Sequence, residues 1–272
     1  GLADRTTFIV TADHGEGLGD HGEREHGLLL YDSVMRVPLI VNGPGIEPRV
    51  VERQALHVDL LPTILALARA TPADGVPGHD LVADAKAGLA EEEAVSYAES
   101  WYGRLQFGWS ELRSIRADGW KYIDGPRPEL YDLRRDPDET IDRASERPEL
   151  AARLRRELRR MADSGGPSLA RIEKPDTETL SKLRSLGYLS GGDAVRDDRP
   201  GAARPNPREM LPAFETYVRS LNEGVALLRQ NRAAAAVNRF RDLARRHPAS
   251  VEAMHYLGYA LAAAGRHAEA LD

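Results

Sequence analysis

The sequence contains no cysteine, which excludes a disulfide framework, a thiolate metal site and a cysteine nucleophile among these residues and leaves the compartment unread from redox chemistry. It also lacks a basic excess: 37 Lys and Arg stand against 43 Asp and Glu, for a formal charge of -6. Recognition of nucleic acid draws on clustered positive charge, so no nucleic-acid partner is expected. No apolar run approaches the roughly 18–20 residues of a bilayer-spanning helix, and no charged-then-apolar leader opens the sequence, so no membrane span is expected in this stretch. What the 272 residues do have is 42% apolar side chains, enough to fill one large core or two ordinary ones.

The chain opens at Gly1 and soon enters Thr6-Thr7-Phe8-Ile9-Val10-Thr11, a β-branched and aromatic run that reads as a buried strand. Val37-Pro38-Leu39-Ile40-Val41 reads the same way. Nearly continuous apolar runs of this kind predict a parallel sheet covered on both faces, with further strands upstream of Gly1. Residues 58–68 are helical in composition, with Asp59 as N-cap and Pro62 in the first turn. Residues 94–98, 112–117, 120–123 and 129–133 predict a small antiparallel sheet, with Asp118-Gly119 as a hairpin turn. Apolar residues at Leu150, Leu154, Leu158 and Met161 give residues 146–162 one helical stripe beside a solvated arginine-rich face. A short helix is expected over 176–186, ending at Gly187, and 191–207 reads as a linker.

Beyond the linker the chain is self-similar. A shift of 34 residues places Gly224 on Gly258, Leu227 on Leu261, Arg232 on Arg266 and Ala236 on Ala270. With Phe240 and Pro248 following Ala236, this spacing resembles the tetratricopeptide repeat, in which small residues let paired helices approach closely. The resemblance covers 211–272 and implies a peptide- or protein-binding surface. It also implies an array that continues past Asp272.

Three of the eight histidines fall in one stretch directly after the first strand: Asp13, His14, Gly15, Glu16, Gly17, Gly19, Asp20, His21, Gly22 and His26. The carboxyl end of a strand is where open α/β sheets bind ligands, and an adjacent Asp and His offer a hard oxygen and an imidazole nitrogen to a divalent cation. On spacing alone the same residues suit an Asx-type turn carrying surface histidines equally well.

The run Thr11-Ala12-Asp13-His14-Gly15-Glu16, Gly19-Asp20-His21-Gly22, His26-Gly27, Leu30-Tyr31-Asp32 and Arg36-Val37-Pro38-Leu39-Ile40-Val41 resembles the C-terminal half of the sulfatase family in the alkaline phosphatase superfamily. The resemblance continues through Asp59-Leu60-Leu61-Pro62-Thr63, Leu112-Arg113-Ser114-Ile115-Arg116, Asp118-Gly119-Trp120-Lys121-Tyr122, Glu129-Leu130-Tyr131-Asp132-Leu133 and Asp136-Pro137, so it spans about Thr6 to Leu189. It implies an α/β fold, a partial alkaline-phosphatase-like sheet with a small antiparallel C-terminal sheet, followed by an all-α helical repeat segment. The implied division is a hydrolase part over 1–189, a linker over 190–210 and truncated repeats over 211–272.

The resemblance implies metal ligation by Asp13 and His14, with calcium the metal in a sulfatase and zinc or manganese in a phosphoryl-transfer relative. Lewis-acid catalysis would then relieve repulsion between an anionic ester and its nucleophile. His26 takes a leaving-group or oxyanion contact. His21 makes an anion or loop contact, with the loop role favoured, and Glu16, Arg36 and Asp59 are loop, turn and cap residues. The family's formylglycine, formed from Cys or Ser in Cys/Ser-x-Pro-x-Arg, and its acidic metal pair are expected upstream. These residues alone are therefore expected to be inactive and to bind metal weakly. The expected parent is a sulfuric ester hydrolase that is periplasmic or extracellular. The alternatives are a phosphodiesterase, phosphonate hydrolase or phosphoethanolamine-type transferase of the same superfamily, and a non-catalytic repeat scaffold.

Overall fold

A computed structural model describes residues 1–71, 75–88, 94–164 and 203–271. The helix expected over 176–186 lies outside the described residues, as does most of the expected linker. In chain order the principal elements are β1 (Phe8–Val10), α1 (Asp32–Met35), β2 (Ile40–Asn42), α2 (Leu60–Leu67), α3 (Leu81–Ala87), β3 (Ser96–Ser100), α4 (Tyr102–Phe107), β4 (Leu112–Ala117), β5 (Trp120–Asp124), β6 (Glu129–Asp132) and α5 (Pro148–Ser164). Four helices follow: α6 (Leu211–Arg229), α7 (Ala233–Arg246), α8 (Val251–Ala263) and α9 (His267–Leu271). The whole is a mixed α/β structure.

The two leading strands depart from expectation. β1 and β2 pair antiparallel, with Ile9 opposite Val41, and no other described strand joins them. Phe8 and Val10 are each 53% exposed and Ile40 is 58% exposed. A continuous apolar run reports the capacity for burial and is silent on strand direction, which here is set by the path of the chain through residues 11–39.

The small sheet has the order β3-β4-β5-β6, antiparallel throughout. Its central turn is the one the sequence signals: Ala117 pairs with Trp120, and Asp118 and Gly119 both take positive φ, at 55° and 76°, as a primed hairpin turn requires. Helix α5 lays Leu154 and Leu158 against Ile115, Tyr122 and Leu130. Its arginine face points outward, where Arg153 and Arg155 pair with Asp118 and Asp124 of the sheet.

Asp59 is buried, and its carboxylate is used differently from a simple cap on α2. One oxygen accepts from Leu56 N–H (2.8 Å), closing the preceding 3-10 turn, and the other accepts from His79 N–H (3.0 Å), tying in the segment before α3. Helix α3 itself has ordinary end signals: Asp80 accepts from Val82 and Ala83 N–H, and Gly88 ends the helix in the left-handed conformation.

Successive helices α6, α7 and α8 pack on one another. Their core is continuous with that of the first part. Leu28, Leu29, Leu30, Tyr31, Trp109 and Leu112 form one cluster with Leu211, Phe214, Tyr217, Val237 and Phe240. Two aromatic residues before β4 join this core: Phe107 stacks on Trp109 at 4.4 Å and meets Phe214 and Tyr217 edge-on.

His247 stands edge-on to Phe107 (5.5 Å) and Tyr217 (5.2 Å) in this seam. Burial, and then the Arg246 charge beside it, hold its imidazole below the ordinary histidine value. The unfolded chain therefore binds the proton more readily than the folded one. Stability from this site is present above the unfolded histidine value of about 6.5 and lost as pH falls through the lowered folded value. Substituting His247 by Gln is expected to flatten the fall in Tm between pH 7.5 and pH 5. Parallel Tm profiles for the two proteins would rule the site out as a source of that slope.

Candidate active site

The chain leaves β1 at Val10 and forms a loop that stays tethered at both ends. Gly15 N–H donates to Val34 O (2.7 Å), seating the loop on α1. A tight ladder then folds the loop back: Gly17 N–H to Glu25 O, Leu18 N–H to Arg24 O and Gly19 N–H to Glu23 O. A side chain at Gly17 would place its Cβ 2.3 Å from Glu23 O, so the ladder requires glycine there. Glu23 pins the far arm. It is buried, and its two oxygens accept from Leu28 and Leu29 N–H at 2.9 and 3.1 Å. Burial pushes its carboxyl up, against the pull of those two amides.

Asp13, His14 and His26 come together on the open side of this loop. Asp13 is 89% exposed, and its Oδ2 lies 3.6 Å from His14 Nε2. Its own backbone amide, and then the neighbouring imidazole, hold its carboxyl below the usual value. His14 Nδ1 lies 2.9 Å from Gly15 O. A carbonyl can only accept, so Nδ1 donates there and Nε2 is the ring nitrogen that faces Asp13. The ring of His26 stacks on that of His14 with centroids 3.7 Å apart. His26 Nδ1 sits 3.3 Å from both Glu16 oxygens, which fixes the proton on Nδ1 and leaves Nε2 to face outward chemistry.

His21 is not part of this group. Its side chain is 7% exposed, its ring stacks on Tyr31 at 3.6 Å, its Nε2 donates to Glu139 O (2.9 Å), and its Nδ1 lies 3.1 Å from Asp20 Oδ1. These contacts hold the loop to the rest of the molecule. Arg36 ends α1 and is exposed.

Two residues near the site carry more than the sequence indicated. Glu16, expected as a loop residue, orients His26. His57 Nε2 donates to Ala12 O at 2.9 Å, fixing the backbone just before Asp13. The contact joins positions 45 apart, and a lone histidine before a helix carries no local signal of it.

Behind the site lies a buried ion network. Lys121 is 3% exposed and places Nζ 2.8 Å from Asp32 Oδ1 and 2.8 Å from Glu139 Oε1. Arg116 reaches the other Asp32 oxygen at 2.8 Å, and Glu139 Oε2 accepts from Asp32 N–H at 2.5 Å. Burial opposes ionisation of both carboxyls, but Lys121 and Arg116 hold that of Asp32 low while that of Glu139 stays raised. The motif pieces Tyr31-Asp32 and Trp120-Lys121-Tyr122 thus meet in space, and the Glu139 carbonyl carries the network on to His21.

A divalent cation needs converging donors. Asp13 Oδ2 and His14 Nε2, at 3.6 Å apart, suit two ligands of one ion, since metal–donor distances of about 2.0–2.6 Å separate neighbouring donors by about that much. Their chemistry also fits: one hard oxygen and one imidazole nitrogen. Among the described residues no third His, Cys, Asp or Glu joins them to complete a set.

Residues 1–70 match the family described as Sulfatase. Arylsulfatase K of Mus musculus is 31% identical over 168 residues, which cover 58% of this chain and 30% of that protein. Among solved structures, a 2-O GAG sulfatase superposes with a TM-score of 0.50 at 26% identity, over 76% of this chain and 44% of that one. The phosphonate monoester hydrolase of Agrobacterium radiobacter shares the fold, with a TM-score of 0.50 at 24% identity, over 64% of this chain and 38% of that one. The chain therefore spans less than half the length of these relatives. Residues 1–70, with the Asp13–His26 loop between β1 and α1, are thus the part of the chain that is similar to the sulfatase family.

Proposed function

We propose that this chain supplies one side of the active site of a metal-dependent sulfuric ester hydrolase, with Asp13 and His14 as metal ligands and His26 in contact with the leaving group or the developing oxyanion. The observation that carries the reading is the convergence of Asp13 Oδ2, His14 Nε2 and the stacked His26 ring at the exit of β1, inside the segment that matches the sulfatase family. A bound divalent metal, calcium in this reading, would supply charge neutralisation for the sulfate ester. The chain's own residues do the rest. The Gly15 carbonyl fixes the His14 tautomer that presents Nε2 to a cation. Glu16 holds the His26 proton on Nδ1, so His26 Nε2 is the atom that accepts or returns a proton at the ester oxygen. The formylglycine nucleophile and the acidic metal pair belong to residues outside this stretch.

The same proposal divides the protein into a hydrolase part over 1–189, a linker over 190–210 and tetratricopeptide-like repeats over 211–272. The packing of Gly224 against Phe240 supports the repeat register, and the repeats are read as a surface for a protein or peptide partner. Export to the periplasm or the cell exterior is part of the proposal.

The test is turnover of an aryl sulfate by the natural full-length protein, with and without a chelator, beside an aryl phosphodiester control. Sulfate-ester hydrolysis that is lost to chelation and restored by calcium is expected. His26→Ala is expected to lower kcat by about 100-fold, the lower reach of general acid–base assistance. Wild-type turnover by both His26→Ala and Asp13→Asn would sink the assignment, and preferential cleavage of the phosphodiester would transfer it to phosphoryl chemistry.

A further inference from the structure

Two contacts join α6 to the loop that carries the candidate catalytic group, and a third ties the turn ahead of α6 to residues beside that loop. Leu211 lies against Gly22, where an added Cβ would sit 3.1 Å from Leu211 Cδ1. Arg24 pairs with Glu215 of α6 at 3.2 Å. The third contact reaches the inside of the molecule. Arg208, in the 3-10 turn Pro207–Met210 ahead of α6, donates from Nη1 to Glu129 Oε2 at 3.0 Å. Its guanidinium also stands over the ring of Tyr31, 5.7 Å from the centroid.

Glu129 is 6% exposed at its side chain, and its Oε2 accepts from the hydroxyls of Tyr31 and Tyr131, each at 2.5 Å. Burial and the Glu129 charge push both phenols up, which keeps them as donors. Among the described residues, Arg208 is thus the cation bonded to a carboxylate whose other hydrogen-bond partners are two phenols. A buried carboxylate deprived of its cation takes up a proton or pulls toward water, and either change alters what its remaining donors can do. Tyr31 is the partner that matters, because its ring is the surface on which His21 stacks. His21 in turn lies within the left-handed turn (Leu18 φ 51°, His21 φ 49°) that folds the loop back toward His26. The backbone of Arg208 is itself held: its N–H donates to the buried Asn206 side chain, and Ser110 N–H donates to Pro205 O.

We infer that Arg208 is a positioning residue for the Asp13–His26 loop, acting through Glu129, Tyr31 and His21, and that the helical segment is by this route a working part of the site rather than an appendage to it. The functional consequence rests on the proposed hydrolase reading; the mechanical coupling does not.

The experiment uses the full chain with 13C- and 15N-labelled histidine, reading the ring resonances of His21 and His26 by NMR, with thermal unfolding to verify folding. In the wild type the His21 ring protons are expected upfield, shielded by the face of Tyr31. Arg208→Gln is expected to remove that upfield displacement and to move the His26 signal, although Arg208 touches neither ring. Arg208→Lys, which keeps the cation, is expected to restore both. Tyr31→Phe cuts the bond to Glu129 and keeps the ring, so it is expected to give the same displacement as Arg208→Gln, and the double variant is expected to add nothing. Tyr31→Phe carries the test by itself if Arg208→Gln does not fold. Unchanged His21 and His26 resonances in a folded Arg208→Gln or Tyr31→Phe protein would overturn the inference. Turnover of an aryl sulfate by the natural full-length protein separates the two claims. Displaced histidine signals with aryl-sulfate hydrolysis intact in both Arg208→Gln and His26→Ala would uphold the coupling and sink the hydrolase role of the loop. Lost turnover in His26→Ala with unmoved signals in Arg208→Gln would do the reverse.

Discussion

Replacing Lys121 by Met is expected to destabilise the folded protein by about 3–5 kcal/mol at neutral pH, the cost of leaving a buried charge without its partner. Met fills nearly the same volume, so the loss is electrostatic. Two carboxylates, Asp32 and Glu139, would then share Arg116 as their counter-charge within the network. Glu139 would suffer more. Its Oε1 meets Lys121 as a close ion pair at 2.8 Å without hydrogen-bond alignment to any other group. The effect has a pH signature. Glu139 already has a raised carboxyl, and loss of Lys121 raises it further. A carboxyl with a folded value above its unfolded one gives stability that is full below the unfolded value, about 4.3 for Glu, and that is lost as pH rises through the folded value. The gap between wild type and Lys121→Met should therefore narrow as pH falls from 7 toward 4.5 in urea unfolding experiments. Glu139→Gln in the Lys121→Met background should recover part of the loss at pH 7 for the same reason. A single variant within about 1 kcal/mol of wild type at pH 7 would mean that the network is neutral to stability, as some buried ion pairs are.

This network also marks the boundary of what the sequence discloses. Strands β4, β5 and β6 are legible because alternating β-branched and aromatic residues and the Asp118-Gly119 turn are local signals. Helix α5 is legible from its stripe of leucines. Asp13, His14 and His26 stand out through the density of histidine and glycine after β1. Each of these signals is carried within a dozen or so residues. The pairing of Lys121 with Asp32, and of Arg208 with Glu129, joins positions 89 and 79 apart, and no local pattern encodes which of 37 cations meets which acid. The direction of β1 and β2 is hidden for a related reason: their faces are apolar whether the neighbouring strand runs up or down. Helices α1, α3 and α4 are too short for a helical period to emerge, and α3 is recoverable only from its ends, Asp80 and Gly88. Asp59 shows the same limit within one residue, since its type suits a helix cap while the carboxylate is used at Leu56 and His79.

The 34-residue register makes a sharper demand on α6, α7 and α8. Phe240 is fully buried, stacks on Tyr256 at 5.4 Å and lies against Gly224. A Cβ at Gly224 would fall 2.4–2.9 Å from three atoms of the Phe240 ring. The ring is fully buried and has little space to retreat. Gly224→Ala is therefore expected to destabilise by about 1–3 kcal/mol through overpacking, outweighing the gain of about 0.5–1 kcal/mol that alanine brings to a helix interior. Phe240→Ala, which empties the same contact, is expected to cost about 3–5 kcal/mol. The double variant should cost less than the sum of the two, since alanine at 224 has room once the ring is gone. Gly258 occupies the same place in the sequence register, 34 residues on. There the nearest atom to an added Cβ is Ala270 O at 3.8 Å, an ordinary contact. The identical substitution, Gly258→Ala, is expected to stabilise by about 0.5–1 kcal/mol. Denaturant unfolding of the wild type and the four variants measures all of these differences. Equal signs at 224 and 258 would show that helix propensity, and not the approach of Phe240, governs these positions, and would remove the packing argument for reading the two glycines as equivalent points of a repeat.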